Sequence, residues 1–195
     1  MNLDKTFLKE QIEGDFVILR PISPEDAEIT LRWRQSDRSS LLNAGAQTVE
    51  QQRQWIASRG QSEINYMIQL KSGQPVGMLS LIAIDLANSR AESARFLIGE
   101  NDLVKGIPAA VEAMKLLYDL AFKKLKLNRV YGTIAEDNTL MIKWQKFLGM
   151  NEEGRLRKHY FIQEKFQDAV CLGILADEYE TQALPKMKLL MRAGK

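Results

Sequence analysis

The sequence predicts one mixed α/β domain with a mostly antiparallel central sheet flanked by helices, and three observations carry that expectation. A chain of 195 residues with 45% apolar content can build a single core without disulfide or metal staples. Ile64 to Leu70 alternates apolar and polar residues, Lys71-Ser72-Gly73-Gln74 turns, and Pro75 to Ile84 continues as the partner strand of a hairpin. A long amphipathic run after Pro108 lies between two strand-like segments, Glu92 to Ile98 and Arg129 to Ala135. Hairpins and helical crossovers thus alternate along the chain, which gives a sheet of mixed direction.

Each element has a local reason. Leu3, Phe7 and Leu8 suggest a short helix in an N-terminal extension over residues 1–14. Phe16 to Arg20 is a β-rich run closed by Pro21, and Ser23-Pro24-Glu25-Asp26 caps a helix that runs to about Gln35. Thr48-Val49-Glu50-Gln51 opens a second helix with Trp55 and Ile56 on its apolar side, ended by the polar breaker Ser58 to Glu63. In the helix after Pro108, Val111, Met114, Leu117, Ala121 and Leu125 mark the face that packs on the sheet. Glu112, Lys115, Asp119 and Lys123 mark the opposite, polar face.

Asp137 or Asn138 caps the next helix, which stops at Leu148-Gly149-Met150 with glycine in its usual C-terminal place. Two strands follow, one within Arg155 to Ile162 and one within Phe166 to Leu175. The domain therefore spans residues 15–178, and residues 179–195 form an amphipathic tail. Its apolar side is Leu184, Met187, Leu190 and Met191, with Lys186, Lys188, Arg192 and Lys195 opposite. The tail packs either on the domain or on a second subunit.

Charge and cysteine content narrow the function. Lys+Arg at 27 against Asp+Glu at 25 gives a net +2, so no global field calls for nucleic acid or an anionic membrane, and anion recognition must be local. Cys171 stands alone in an apolar run and reads as a small buried hydrophobe in a reducing compartment. No run approaches the roughly 18 apolar residues of a membrane span, and Met1 to Gly14 lacks the apolar block of a secretory signal, so the expected location is cytoplasmic.

The stretch from Ile98 through Gly99-Glu100 to Lys105-Gly106-Ile107-Pro108 reads as a strand end, a loop and a helix start. Free amides at a helix N-terminus attract anions, and Lys105 with Gly106 adds charge and close backbone approach, so a phosphate-bearing ligand fits here.

In order and spacing, these segments resemble the GNAT superfamily of N-acetyltransferases, closest to its Rim-type branch of ribosomal-protein, polyamine and amino-sugar acetyltransferases. The carriers are Leu19-Arg20-Pro21 with Glu25-Asp26-Ala27, Gly77 in the hairpin, Ile98-Gly99-Glu100 and Lys105-Gly106-Ile107. They continue with Asn138 before Leu148-Gly149-Met150, and with Glu153-Gly154-Arg155-Leu156-Arg157 leading to Asp168. The resemblance implies acetyl-CoA as co-substrate, no metal, and a V-shaped opening between the strand ending near Ile98 and the strand Arg129 to Ala135. In it the backbone of Phe96, Leu97 and Ile98 would pair with the pantetheine arm. The loop Lys105, Gly106, Ile107, Pro108 and Ala109 would receive the pyrophosphate, and Asn138 would hydrogen-bond the arm. Lys143 and Trp144 fall beside the arm as well, Trp144 as a pantetheine wall or as core packing.

The reaction implied is direct attack of a primary amine on the thioester, with no covalent enzyme intermediate. Positioning supplies much of such a rate. An amine must still lose a proton before attack, so a carboxylate or imidazole within reach is expected. Glu100 is the first candidate; it reads equally as a solvated acid or a counter-charge to Lys105. His159, the only histidine, is the second, with a structural role as the alternative. Asp168 and Arg157 either order the last hairpin or touch substrate.

Two departures from the family pattern stand out. The usual phosphate loop reads Gln/Arg, two residues, Gly, one residue, Gly/Ala, and these positions are Leu103, Gly106 and Pro108 here, with two further residues before the helix body at Glu112-Ala113. Pro108 also removes one amide donor. Gln145 stands where many relatives place a Tyr that protonates the leaving thiolate.

The expected activity is N-acetylation of an amino sugar, a polyamine or a protein N-terminus. The run Glu153 to His159 favours the amino sugar, and a homodimer is left open. The alternative is a non-catalytic relative that senses acyl-CoA or binds a protein partner. A plain nucleotide-binding α/β domain would need a parallel sheet and a fuller glycine fingerprint, neither of which the sequence carries.

Overall fold

The computed structural model of this chain describes residues 10–36, 39–42, 45–59 and 63–193 and divides into two units. The helix expected from Leu3, Phe7 and Leu8 lies outside the described residues. The elements form a mixed α/β fold with a mostly antiparallel sheet and flanking helices, as the sequence predicts. Among the described residues, no helix is long and apolar enough to cross a membrane.

The first unit draws on residues 1–22, 60–130 and 174–195. Its strands β1 (Ile12–Glu13), β2 (Val17–Pro21), β3 (Ile64–Leu70), β4 (Pro75–Asp85) and β5 (Arg90–Ile98) lie side by side in chain order. Every pairing among them is antiparallel, with Leu19 opposite Ile68, Met67 opposite Met78 and Gly77 opposite Ile98. The turn between β3 and β4 needs Gly73 at φ +94°, a left-handed conformation that glycine adopts freely. The alternation read in β3 does not produce a solvated face: Ile64 through Ile68 are all buried, Asn65 included. A strand inside a sheet and covered on both sides has no wet face to match its polar letters.

Helix α3 (Ala109–Tyr118) continues through a π-helical turn, Asp119–Lys124. It packs on β2 and β4, and its far flank is covered by the chain's last segment. That segment comprises α5 (Ala176–Glu178), a π-helical turn (Tyr179–Ala183) and α6 (Leu184–Arg192). Leu184, Met187 and Met191 of α6 are buried, and α6 packs on α3.

This cover corrects the polar face assigned to α3. Of its four charged positions only Lys123 is exposed, and Glu112 is 1% exposed. The Glu112 carboxylate accepts three consecutive backbone N–H groups, from Asp15 at 2.6 Å, Phe16 at 2.6 Å and Val17 at 2.8 Å. A buried charge survives where donors of this kind replace its water.

Asp119, half-buried, is a second acid anchor. Its carboxylate takes Lys115 Nζ at 2.6 Å, Lys123 Nζ at 2.6 Å and the Tyr179 hydroxyl at 2.9 Å, which ties the C-terminal segment to α3. The Tyr118, Phe122 and Tyr179 rings meet there with centroids 5.2–5.9 Å apart. Burial by itself raises the Asp119 pKa, but the hydrogen bonds from Lys115, Lys123 and Tyr179 overcome it and hold the carboxyl below its ordinary range. Burial, then Asp119 itself, pushes the Tyr179 hydroxyl up.

A depressed folded-state pKa means that the Asp119 contribution is complete above the unfolded-state value of about 3.9 and drains away as pH falls through the lower folded value. The melting-temperature gap between wild type and Asp119→Asn is therefore expected to be constant from neutral pH to about pH 5 and to close below about pH 4. A gap that stays the same down to pH 2.5 would count against the anchor.

The second unit holds residues 23–59 and 131–173. A 3₁₀ turn (Pro24–Asp26) leads into α1 (Ala27–Arg34), and the Ser23 amide donates to Asp26 Oδ2 at 2.9 Å, completing the expected cap. Thr48 Oγ1 accepts the Gln51 amide at the start of α2 (Val49–Ala57), while Gln51 Oε1 accepts the Thr48 amide. The two helices pack together, joined by a bond from Gln52 Nε2 to Thr30 Oγ1 of 3.0 Å. Beyond them β6 (Arg129–Ala135) neighbours β8 (Lys165–Leu175), which pairs antiparallel with the edge strand β7 (Asn151–Ile162). Cys171 is half-buried, not enclosed as the sequence suggests.

Candidate active site

The candidate residues fall into two sets, one in each unit. Phe96, Leu97, Ile98, Glu100 and Lys105 through Ala109 belong to the first, Asn138, Lys143, Trp144 and His159 to the second.

In the first unit β5 does not run straight into the predicted contact segment. Met78 faces Leu97 but Ser80 faces Ala94, so β5 carries one residue more than β4 over this span, which is a β-bulge. Arg95 sits at the bulge with φ +56°. For a side chain with a Cβ that conformation costs about 1–2 kcal/mol. Arg95 Nη1 donates to Glu63 Oε2 at 2.6 Å and to Asn65 Oδ1 at 2.8 Å, and the Ser80 hydroxyl donates to the same Asn65 oxygen at 2.7 Å. The Arg95 and Glu63 side chains keep only 23% and 11% of their exposure. Sequence reasoning singled out none of these four residues for the site. A bulge whose left-handed position is arginine leaves no glycine to mark it.

Past the bulge the strand end is pinned. The Val76 carbonyl accepts both the Gly99 amide, at 2.9 Å, and the Glu100 amide, at 3.1 Å, so the backbone at Glu100 is fixed from β4. Gly77 makes this approach feasible, because a Cβ there would run into the Leu97 carbonyl oxygen and lie 3.2 Å from Ile98 Cα. Close backbone approach is the use of glycine here.

The loop onward contains a 3₁₀ turn, Asp102–Val104, and the Ile107 amide donates back to the Val104 carbonyl at 2.9 Å. Ile107 therefore spends its donor within the loop. Lys105 and Gly106 are exposed, and Gly106 takes φ +79° with no atom within 4 Å of where a side chain would begin. Pro108 caps the helix, which begins at once with Ala109, so the two residues expected to separate the loop from the helix body are themselves helical. Glu112 is the first residue to bond back, to the Pro108 carbonyl at 2.9 Å, so the amides of Ala109, Ala110 and Val111 have no acceptor inside the helix. The proline thus costs the cap one donor and leaves the next three. With the exposed Lys105 and an open glycine in the same loop, these groups suit a diphosphate in charge.

In the second unit Asn138 caps α4 (Thr139–Phe147), its Oδ1 accepting the Met141 amide at 3.3 Å. That bond leaves its amide hydrogens to offer. Lys143 is exposed, and the half-buried Trp144 ring stacks 6.2 Å from Phe147. Gln145, 5% exposed, directs Nε2 to Met141 Sδ at 3.9 Å and belongs to the interior.

His159 is exposed on a bulged stretch of β7, where Leu156 faces Ala169 and Tyr160 faces Gln167. Its ring meets Tyr160 edge-on at 4.8 Å. The Tyr160 hydroxyl, which the sequence did not single out, lies 2.7 Å from Thr133 Oγ1 and donates to the Thr133 carbonyl at 3.2 Å. Asp168 takes the first of its two expected roles and orders the hairpin: Oδ1 accepts the Lys158 amide at 2.8 Å, while its own amide donates to Glu136 Oε1 at 3.1 Å.

Comparison with known proteins gives a consistent family. Residues 17–151 match the acetyltransferase (GNAT) domain. The chain is 28% identical over 178 residues to the uncharacterized N-acetyltransferase p20 of Bacillus licheniformis, covering 87% of this chain and 98% of that one. It is 29% identical over 119 residues to the spermidine N(1)-acetyltransferase of Escherichia coli K12, covering 61% of this chain and 62% of that protein. A crystal structure of a GCN5-related N-acetyltransferase from Brucella melitensis superposes with a TM-score of 0.77 at 22% identity, over 95% of this chain and 85% of the other.

Proposed function

This chain belongs to the GNAT acetyltransferase family, and from that premise we propose that it moves acetyl from acetyl-CoA to a primary amine by direct attack. The observation that carries the reading is the first unit's run from the pinned end of β5 to the start of α3, where three amides have no acceptor within the helix and the preceding loop carries Lys105 and Gly106. When bound, acetyl-CoA supplies the thioester. The chain's part is to hold it: the backbone of Phe96, Leu97 and Ile98 along the pantetheine arm, Lys105, Gly106 and the amides from Ala109 onward on the diphosphate. In the second unit Asn138 is the candidate amide donor, with Lys143 and Trp144 on the same helix.

Glu100 is assigned as general base, since its backbone is fixed by the Val76 carbonyl at 3.1 Å. Amines with pKa near 10 arrive protonated, so this step limits the rate at low pH. His159 is the second candidate. A polyamine leads as substrate because the spermidine N(1)-acetyltransferase relative is 29% identical; the amino sugar is the second reading, carried by the run Glu153 to His159.

Acetyl-CoA at about one hundred times its Kd is expected to raise the melting temperature by roughly 5–11 °C, from about 2.7 kcal/mol of linkage. Thiol release with spermidine, glucosamine and an N-terminal peptide then ranks the amines. Glu100→Gln should lose most turnover at low pH. An unmoved melt at millimolar acetyl-CoA favours the non-catalytic alternative, and a mutant-to-wild-type ratio flat across pH removes Glu100 from its role.

A further inference from the structure

We propose that Arg95 is a positioning residue that sets the direction of the Phe96–Ile98 segment through its clamp on Glu63 and Asn65, an inference that rests on the acetyl-CoA reading above. A bulge bends its strand and increases the local twist, so the part of β5 after Arg95 points differently from the part before it. The three residues assigned to the pantetheine arm come directly after that bend. What fixes the bend therefore fixes where their backbone groups point.

The identity of residue 95 argues for the clamp. A left-handed bulge position is glycine's natural place, yet arginine occupies it at φ +56°. The guanidinium bridges two oxygens from one nitrogen, Glu63 Oε2 at 2.6 Å and Asn65 Oδ1 at 2.8 Å, while Ser80 at 2.7 Å holds Asn65 in turn. Asn65 faces Ser80, and Ser80 faces Ala94, so the bonds tie three adjacent strands in one row just before the contact segment. A charge-assisted pair that is mostly buried is stiffer and stronger than a neutral contact. Its geometry matters because a backbone displaced by about 1 Å can cost on the order of a hundredfold in rate.

Arg95→Gly separates the clamp from backbone strain, because glycine accepts φ +56° freely while the guanidinium that bridges Glu63 and Asn65 is lost. The expected result is an acetyl-CoA KM raised about tenfold with the amine KM within about twofold of wild type. Glu63→Gln, which keeps the volume and lowers the charge, is expected to shift acetyl-CoA KM about threefold in the same direction, and Arg95→Lys to recover part of the loss. Wild-type acetyl-CoA KM in both Arg95→Gly and Glu63→Gln overturns the clamp, whatever the melting temperatures do. Failure of the unmodified protein to bind acetyl-CoA is a different outcome and overturns the functional reading together with it.

Discussion

Glu112→Ala is expected to lower stability by about 4 kcal/mol and the melting temperature by roughly 8–16 °C. The side chain is 1% exposed and its two oxygens receive the amides of Asp15, Phe16 and Val17. Alanine would leave three donors around a cavity, each orphaned amide costing about 1–3 kcal/mol, with relief only where water can enter. Glutamine fills the space but turns an NH₂ group toward an N–H, so it should recover little. Gly14 belongs to the same arrangement, since a Cβ there would stand 2.5 Å from the Glu112 carboxyl carbon. Thermal unfolding followed by circular dichroism measures the effect, and a melt within about 2 °C of wild type would remove Glu112 as an anchor.

The second large effect is expected at Gly77. A single methyl group added there collides with the Leu97 carbonyl oxygen and crowds Ile98 Cα at 3.2 Å. Both partners are backbone, so neither can swing aside, and β5 must move away from β4. Gly77→Ala is therefore expected to reduce kcat/KM about a hundredfold by displacing the contact segment. Gly106→Ala is the matched control. It meets no atom within 4 Å, so its loss comes from φ +79° alone and should be several-fold smaller. Equal losses from the two substitutions would show that crowding at Gly77 is not what matters.

What the sequence made legible was set by local chemistry. The Thr48 cap, the turn at Gly73, the strand Arg129–Ala135 and the Asn138 cap each depend on neighbours within a few residues, and each appears where it was expected. Glu112 was misplaced on a polar face because helical spacing reports charge and period, and cannot report that residues 15–17 supply donors from nearly a hundred positions away. The clamp on Arg95 was invisible for a related reason, as its partners Glu63 and Asn65 lie about thirty residues upstream. The anion-ready helix start was legible as a motif, yet its detail was not. Pro108 proved to be a cap that spares the following amides, which depends on backbone angles that spacing does not encode.

The three-part make-up of the first unit bears on how the protein is born. Its five strands and α3 come from residues well before the end of the chain, but α3 is covered by the segment that begins at Ala176 and is locked to Asp119 through Tyr179. A nascent chain whose residues from Ala176 onward have not yet left the ribosome lacks that cover, which leaves the apolar flank of α3 to water or to chaperones. Maturation of the helix that begins with the anion-ready amides thus waits for a segment made more than fifty residues after it.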